Sequence, residues 1–199
     1  PKGRLWAFAI SAIGWIFLFG VLIPSVFQLV SRCSKNYLEG RTRYNIQKSP
    51  FAVIFGAHET VPDIIHKIFS NNHSQKIKYV IIHTGCDVKE YRHELETRLS
   101  KQEQGHVIFY CGLRTNPSEI ASLHLERAKE VYVLGEIQDK ETESDRDSMH
   151  MECIRVMAEQ LKDKKGHKPL LCYTLLDYQT TFKSFFYSDL NETIKDQIE

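Results

Sequence analysis

FAVIFGAHETVPDIIHKIF, residues 51–69, is the stretch whose reading decides the fold. Five apolar residues without alternation lead into a glycine and a short polar turn. Ile64, Ile65, Ile68 and Phe69 then recur at helical spacing. An uninterrupted apolar run of this length is the pattern of a strand covered on both faces, as in a parallel sheet, so the segment reads as strand, turn and helix. The unit repeats along the chain. YVIIH (79–83), HVIFYC (106–111), EVYVL (130–134) and PLLCYTL (169–175) are further runs rich in Val, Ile, Tyr and Phe. Between them, Val88, Tyr91, Leu95 and Leu99 form one helical stripe and Cys153, Ile154, Met157 and Leu161 another, while Pro117 to Glu126 reads as a shorter helix. Right-handed crossovers turn such an array into an α/β, Rossmann-like doubly wound parallel sheet with strand order 3-2-1-4-5. A complete unit of this kind carries a sixth strand, so the domain is expected to be truncated at its C-terminus.

In this fold the first strand–helix turn binds phosphates. Here it is Gly56-Ala57-His58-Glu59-Thr60-Val61, which keeps only the first glycine of G-x-G-x-x-G. His58 places a Cβ and an imidazole where a pyrophosphate needs bare backbone, and Glu59 adds a negative charge. Thr60, with Asp63 three residues on, is expected to cap the helix. The acid that would bind a ribose at the end of the second strand is Asp87, several residues late. Gly56, His58, Glu59, Thr60 and Asp87 are thus the candidate cofactor-binding residues of a degenerate turn. Their pattern argues against NAD or ATP in the usual mode.

Upstream, the chemistry changes. Leu5 to Ser31 is a run of 27 residues without a charge. As a helix it is about 40 Å long, against roughly 30 Å for a bilayer's hydrocarbon core. It is too long for the apolar stretch of a secretory signal and lacks a small-residue cleavage site. Residues 1–31 therefore read as a transmembrane helix, 32–50 as a basic juxtamembrane linker and 51–199 as the α/β domain. The overall charge of +1 hides +6 on residues 1–50 and −5 on the rest. Arg32, Lys35, Arg41, Arg43 and Lys48 follow the helix and only Lys2 and Arg4 precede it, which places 32–199 in the cytoplasm. Five cysteines with no CxxC fit a reducing compartment. Gly14, Gly20 and Pro24 interrupt the helix and are candidate hinges if it lines a pore; in a simple anchor they are tolerated passengers.

No H-E-x-x-H, G-x-S-x-G or P-loop motif occurs. His150-Met151-Glu152-Cys153 has the H-x-E of zinc deaminases without the P-C-x-x-C partner, and His150 with Cys153 leaves a metal pair as an option. His66, His93 and His124 read as surface or boundary residues of helices. Glu136, Asp139, Glu141, Glu143 and Asp145 crowd the segment after the fourth strand. They read either as a solvated loop with an acidic helix start or, lying where ligands bind in this fold, as a site for a divalent cation such as Ca²⁺.

Together these segments resemble a regulator-of-potassium-conductance (RCK, TrkA N-terminal-like) domain following the last pore helix of an ion channel, most like the Castor and Pollux type. The resemblance is carried by the helix 5–31, VIFGAHET (53–60) and His83-Thr84-Gly85-Cys86-Asp87-Val88-Lys89-Glu90. It extends to Cys111-Gly112 with Pro117-Ser118, Arg127-Ala128-Lys129 before VYVL, and Glu143-Ser144-Asp145. It implies a cation channel subunit, of potassium type, whose identical copies form a tetrameric pore with a cytoplasmic gating ring. The expected partners are thus the lipid bilayer and further copies of the chain, with no nucleic acid and no enzymatic chemistry. Residues 1–199 contain no selectivity filter, which is expected to precede Pro1. The alternatives are a membrane-anchored Rossmann nucleotide-binding module or NAD-dependent enzyme, and an anchored interaction domain without a ligand.

Overall fold

The computed structural model describes residues 2–44, 49–70, 77–136, 143–162 and 170–177. The chain opens on a continuous helical rod: α1 (Lys2–Phe17), a π-helical segment (Leu18–Leu22) and α2 (Ile23–Leu38). The π segment follows from Pro24, which cannot donate to the carbonyl of Gly20 and whose ring clashes with it. The preceding turn widens to relieve the clash. Ile23 N–H accordingly reaches back five residues to Leu18 O, and the Ser25 hydroxyl donates to Val21 O at 2.6 Å. Of the sequence's hinge candidates, Gly20 lies inside this irregularity and Pro24 just after it, whereas Gly14 lies in regular helix.

Among the described residues one helix is long and apolar enough to cross a membrane, Ile10–Leu38, and its apolar window is wholly unburied. Trp6, Phe8 and Phe27 are each more than 70% exposed. Apolar surface on that scale needs lipid or other helices around it.

The sheet consists of β1 (Phe51–Phe55), β2 (Tyr79–Thr84), β3 (Val107–Cys111), β4 (Ala128–Val133) and β5 (Leu171–Thr174). All pairings are parallel, in the expected order β3-β2-β1-β4-β5. The helices are α3 (Val61–Ser70), α4 (Val88–Arg98), α5 (Lys101–Gln104), α6 (Pro117–Ala121) and α7 (Glu143–Lys162). Successive β1 side chains alternate between the faces. Phe51, Val53 and Phe55 meet Ile120 of α6 and Met157 and Leu161 of α7. Ile54 meets Ile65 of α3 and Leu95 of α4. Full burial of each such side chain stabilises the fold by roughly 1.5–3 kcal/mol, consistent with the central place of β1 between β2 and β4.

Three expectations need correcting in detail. Coverage on both faces holds for β1 and β2 but not for β5, where Leu171 is 38% and Tyr173 48% exposed. The short helix after Pro117 stops at Ala121. The chain then passes through His124 at φ 53° into a 3₁₀ turn, Leu125–Arg127. Helix α5 is an addition, started by a capping box in which Ser100 and Glu103 exchange side-chain and backbone bonds.

Candidate functional site

The carboxyl ends of β1, β2 and β4 converge on Gly56. Its N–H donates to His83 O at 2.8 Å, while Leu134 N–H donates to Phe55 O at 2.8 Å. Gly56 adopts φ +105°, and a Cβ there would collide with the Leu134 carbonyl and lie 2.9 Å from Gly135 O. The glycine is therefore required by the protein's own β4 strand rather than by a ligand.

The loop after β4 then sends Glu136 back into this turn. Its Oε2 accepts from Ala57 N–H at 2.7 Å, the Thr84 hydroxyl at 2.6 Å and the Cys86 thiol at 3.0 Å; Oε1 accepts from Gly85 N–H at 3.0 Å. Thr84 Oγ1 in turn accepts from Cys86 N–H at 3.1 Å, which holds the β2 end in shape. Backbone N–H groups from two strand ends and two side-chain donors thus surround one carboxylate. Charge-assisted bonds of this kind are short and strong. Gly56 of the turn and Glu136 of the acidic loop, assigned from sequence to two separate sites, lie at the same strand ends. The donors to Glu136, however, are Ala57, Thr84, Gly85 and Cys86, none of which the sequence singled out as a site residue.

The other turn residues are engaged locally. His58 Nδ1 lies 2.9 Å from the Thr60 hydroxyl and accepts from Thr60 N–H at 3.3 Å. Thr60 O accepts from Ile64 N–H at 3.1 Å, as the start of α3 requires. The side chain of Glu59 is exposed, and its carbonyl accepts from Arg98 at 3.1 Å. The buried Tyr91 hydroxyl donates to His58 O at 3.2 Å. Burial, reinforced by the Glu136 charge, pushes its pKa upward. Asp87 is the N-cap of α4, its Oδ1 accepting from Lys89 N–H at 2.9 Å and Glu90 N–H at 3.4 Å.

Of the acidic set, Asp139 and Glu141 lie outside the described residues, as does the side chain of Glu143, and Asp145 is exposed. Among the described residues no group of three or more His, Cys, Asp or Glu side chains is arranged to hold a metal ion. His150 is buried with Nδ1 2.8 Å from Leu175 O, and Cys153 lies fully inside the core. Asp147, also fully buried, accepts from Asp177 N–H at 2.9 Å.

Beside the Glu136 constellation, His83 is fully buried, with neither ring nitrogen hydrogen-bonded among the described residues. Burial, and next the Arg43 charge, lower its pKa to about 4. Its Nε2 is 3.8 Å from Glu119 Oε2, and Glu119 accepts from Leu113 N–H at 2.5 Å.

A second constellation joins the rod to the domain. Arg92 of α4, 7% exposed, is sandwiched between the rings of Tyr37, 4.3 Å away, and Phe109, 4.6 Å away, and donates to Tyr37 O at 3.0 Å. Gly40, at φ +67°, lies so close to the β3 edge that a Cβ would meet Cys111 N at 2.9 Å. Gly40 O accepts from Cys111 N–H at 2.9 Å. Tyr44 N–H donates to the Tyr110 hydroxyl at 2.9 Å, and Arg43 stacks on the Tyr110 ring at 4.4 Å. Sequence reading missed this junction; an arginine inside the otherwise helical stripe Val88–Leu99 was its one local signal.

No family model and no curated protein matches the chain. Among solved structures, the crystal structure of GsuK bound to ADP aligns with 95% of this chain and 44% of that one, at 15% identity and a TM-score of 0.46. The chain spans less than half the length of that protein.

Proposed function

We propose that the chain is a channel-type membrane subunit in which residues 2–38 contribute to or flank a pore and the α/β domain regulates it from the cytoplasm. The observation that carries this reading is the junction. The last turn of the rod is held by Arg92 on Tyr37, and the described segment just after it is held against β3, where Gly40 O accepts from Cys111 N–H and Tyr44 N–H donates to the Tyr110 hydroxyl. A contact of buried Arg92 with the ring and carbonyl of Tyr37 couples the end of the rod to α4, as a transmission element would use it. Movement of α4 or β3 is then passed to the helix, and the work is mechanical rather than catalytic. The RCK-like character of the sequence supports this assignment, and with it an oligomer of identical subunits conducting cations, potassium first among them. The nucleotide-binding alternative is disfavoured because the turn that would hold phosphates already holds Glu136.

The test is reconstitution of the full-length protein in planar bilayers under a potassium gradient, with the mass of the detergent-solubilised complex measured alongside. A cation-selective current from an oligomer, with altered open probability in Arg92→Ala, is the expected result. A monomer without current would overturn the proposal.

A further inference from the structure

We infer that the strand-end crevice is an anion site whose occupant is the protein's own Glu136 carboxylate, standing in for a ligand phosphate and excluding phosphate-bearing ligands while it is there. The donor set is the ground for this. Ala57 N–H and Gly85 N–H come from the ends of two neighbouring strands, the Thr84 hydroxyl and Cys86 thiol converge with them, and all four donate into a single carboxylate. Convergent donors at the carboxyl ends of adjacent strands in a parallel α/β sheet, one of them from the first strand–helix turn, suit a phosphate. Here their bonds are already made from within the chain.

Two further features keep a phosphate out while Glu136 is present. Its negative charge repels a second anion, and the exposed Glu59 at the same turn adds to that field. The close fit of Gly56 against Leu134 and Gly135 also brings the start of the Glu136 loop directly over the turn, so the carboxylate needs no rearrangement of the sheet to reach it. A ligand carrying a phosphate or pyrophosphate therefore binds only by displacing Glu136. Its affinity is lowered by the stability of the internal contact. This holds whether or not the helix belongs to a pore.

The experiment is titration of the full chain in detergent, followed by calorimetry, with inorganic pyrophosphate in one arm and ADP in the other. Wild type, Glu136→Gln and Glu136→Ala are compared at one salt concentration, and unfolding curves establish that each is folded. Wild type is expected to show no heat at millimolar probe. Glu136→Ala should bind pyrophosphate at least about tenfold more tightly, and Glu136→Gln, which keeps the shape but not the charge, should fall between. Binding of both probes in Glu136→Ala identifies the phosphate as the recognised group; binding of ADP alone would assign affinity to the nucleoside and overturn the inference. Wild-type binding equal to that of the variants, or folded variants that bind neither probe, would overturn it too. If Glu136→Ala does not fold, Glu136→Gln decides alone.

Discussion

The guanidinium of Arg92 lies 4.3 Å from the ring centroid of Tyr37 and donates to that residue's own carbonyl at 3.0 Å. One side chain on the domain thus grips both the ring and the backbone of the last helical turn of the rod. The planar fork suits this and an ammonium does not. Arg92→Ala is expected to destabilise the domain by about 2 kcal/mol or more from the lost stacking and charged hydrogen bond. Arg92→Lys should recover less than half of that. Denaturant unfolding of the detergent-solubilised protein measures both, and equal stability of Lys and Arg would remove the stacking argument.

Gly56→Ala should cost about 3 kcal/mol, since a side chain at φ +105° is strained and its Cβ would meet two carbonyls of the β4 end. The same unfolding measurement applies. A loss below about 1 kcal/mol, the usual penalty of glycine's own flexibility, would show that the turn relaxes around the methyl group.

His83 predicts a pH dependence. Its folded pKa, about 4, lies below the ordinary 6.5 because of burial and of Arg43, so the unfolded chain binds the proton and the folded one does not. Stability from this group is therefore fully present above pH 6.5 and is lost as pH falls from 6.5 toward 4, by up to roughly 3 kcal/mol. Glu119, 3.8 Å away, faces the same ring. His83→Gln should flatten the difference in stability between pH 7 and pH 4 by that amount. Parallel curves for the two proteins would show that His83 takes up its proton as readily in the folded as in the unfolded chain.

Asp87 at the N-cap of α4 yields a simpler expectation. Asp87→Ala should cost about 1 kcal/mol and Asp87→Ser should restore most of it, because serine caps nearly as well. Thermal unfolding reads this directly. A serine variant as unstable as alanine would point to a role for the carboxylate charge.

The sheet was legible because its information is local and periodic. Runs such as FAVIF and YVIIH state their own burial, and chirality then orders the strands as β3-β2-β1-β4-β5. The degenerate turn was legible for a similar reason, since a missing glycine is visible at its own position. What the sequence did not reveal was that Glu136, 80 residues beyond Gly56 in the chain, closes back on that turn, or that Arg92 reaches Tyr37 across 55 residues. Both are long-range polar contacts, and a carboxylate or guanidinium carries no pattern that announces its partner. The box Ser100-Lys101-Gln102-Glu103 was a local signal of α5 that simply went unread.

The π segment at Leu18–Leu22 has a consequence for the geometry of any assembly. A π turn holds one more residue than an α turn, and each residue of an α-helix advances the surface by about 100°. The stripe that α1 shows to its surroundings is therefore displaced by about that angle from the stripe continued on α2. Two neighbouring copies that pack along the upper half of the rod diverge in phase below Gly20, and the lower half is left to face a different environment. A transition of Leu18–Leu22 to regular helix would turn the lower half, together with Tyr37 and the domain it carries, about the helix axis like the lower section of a screw.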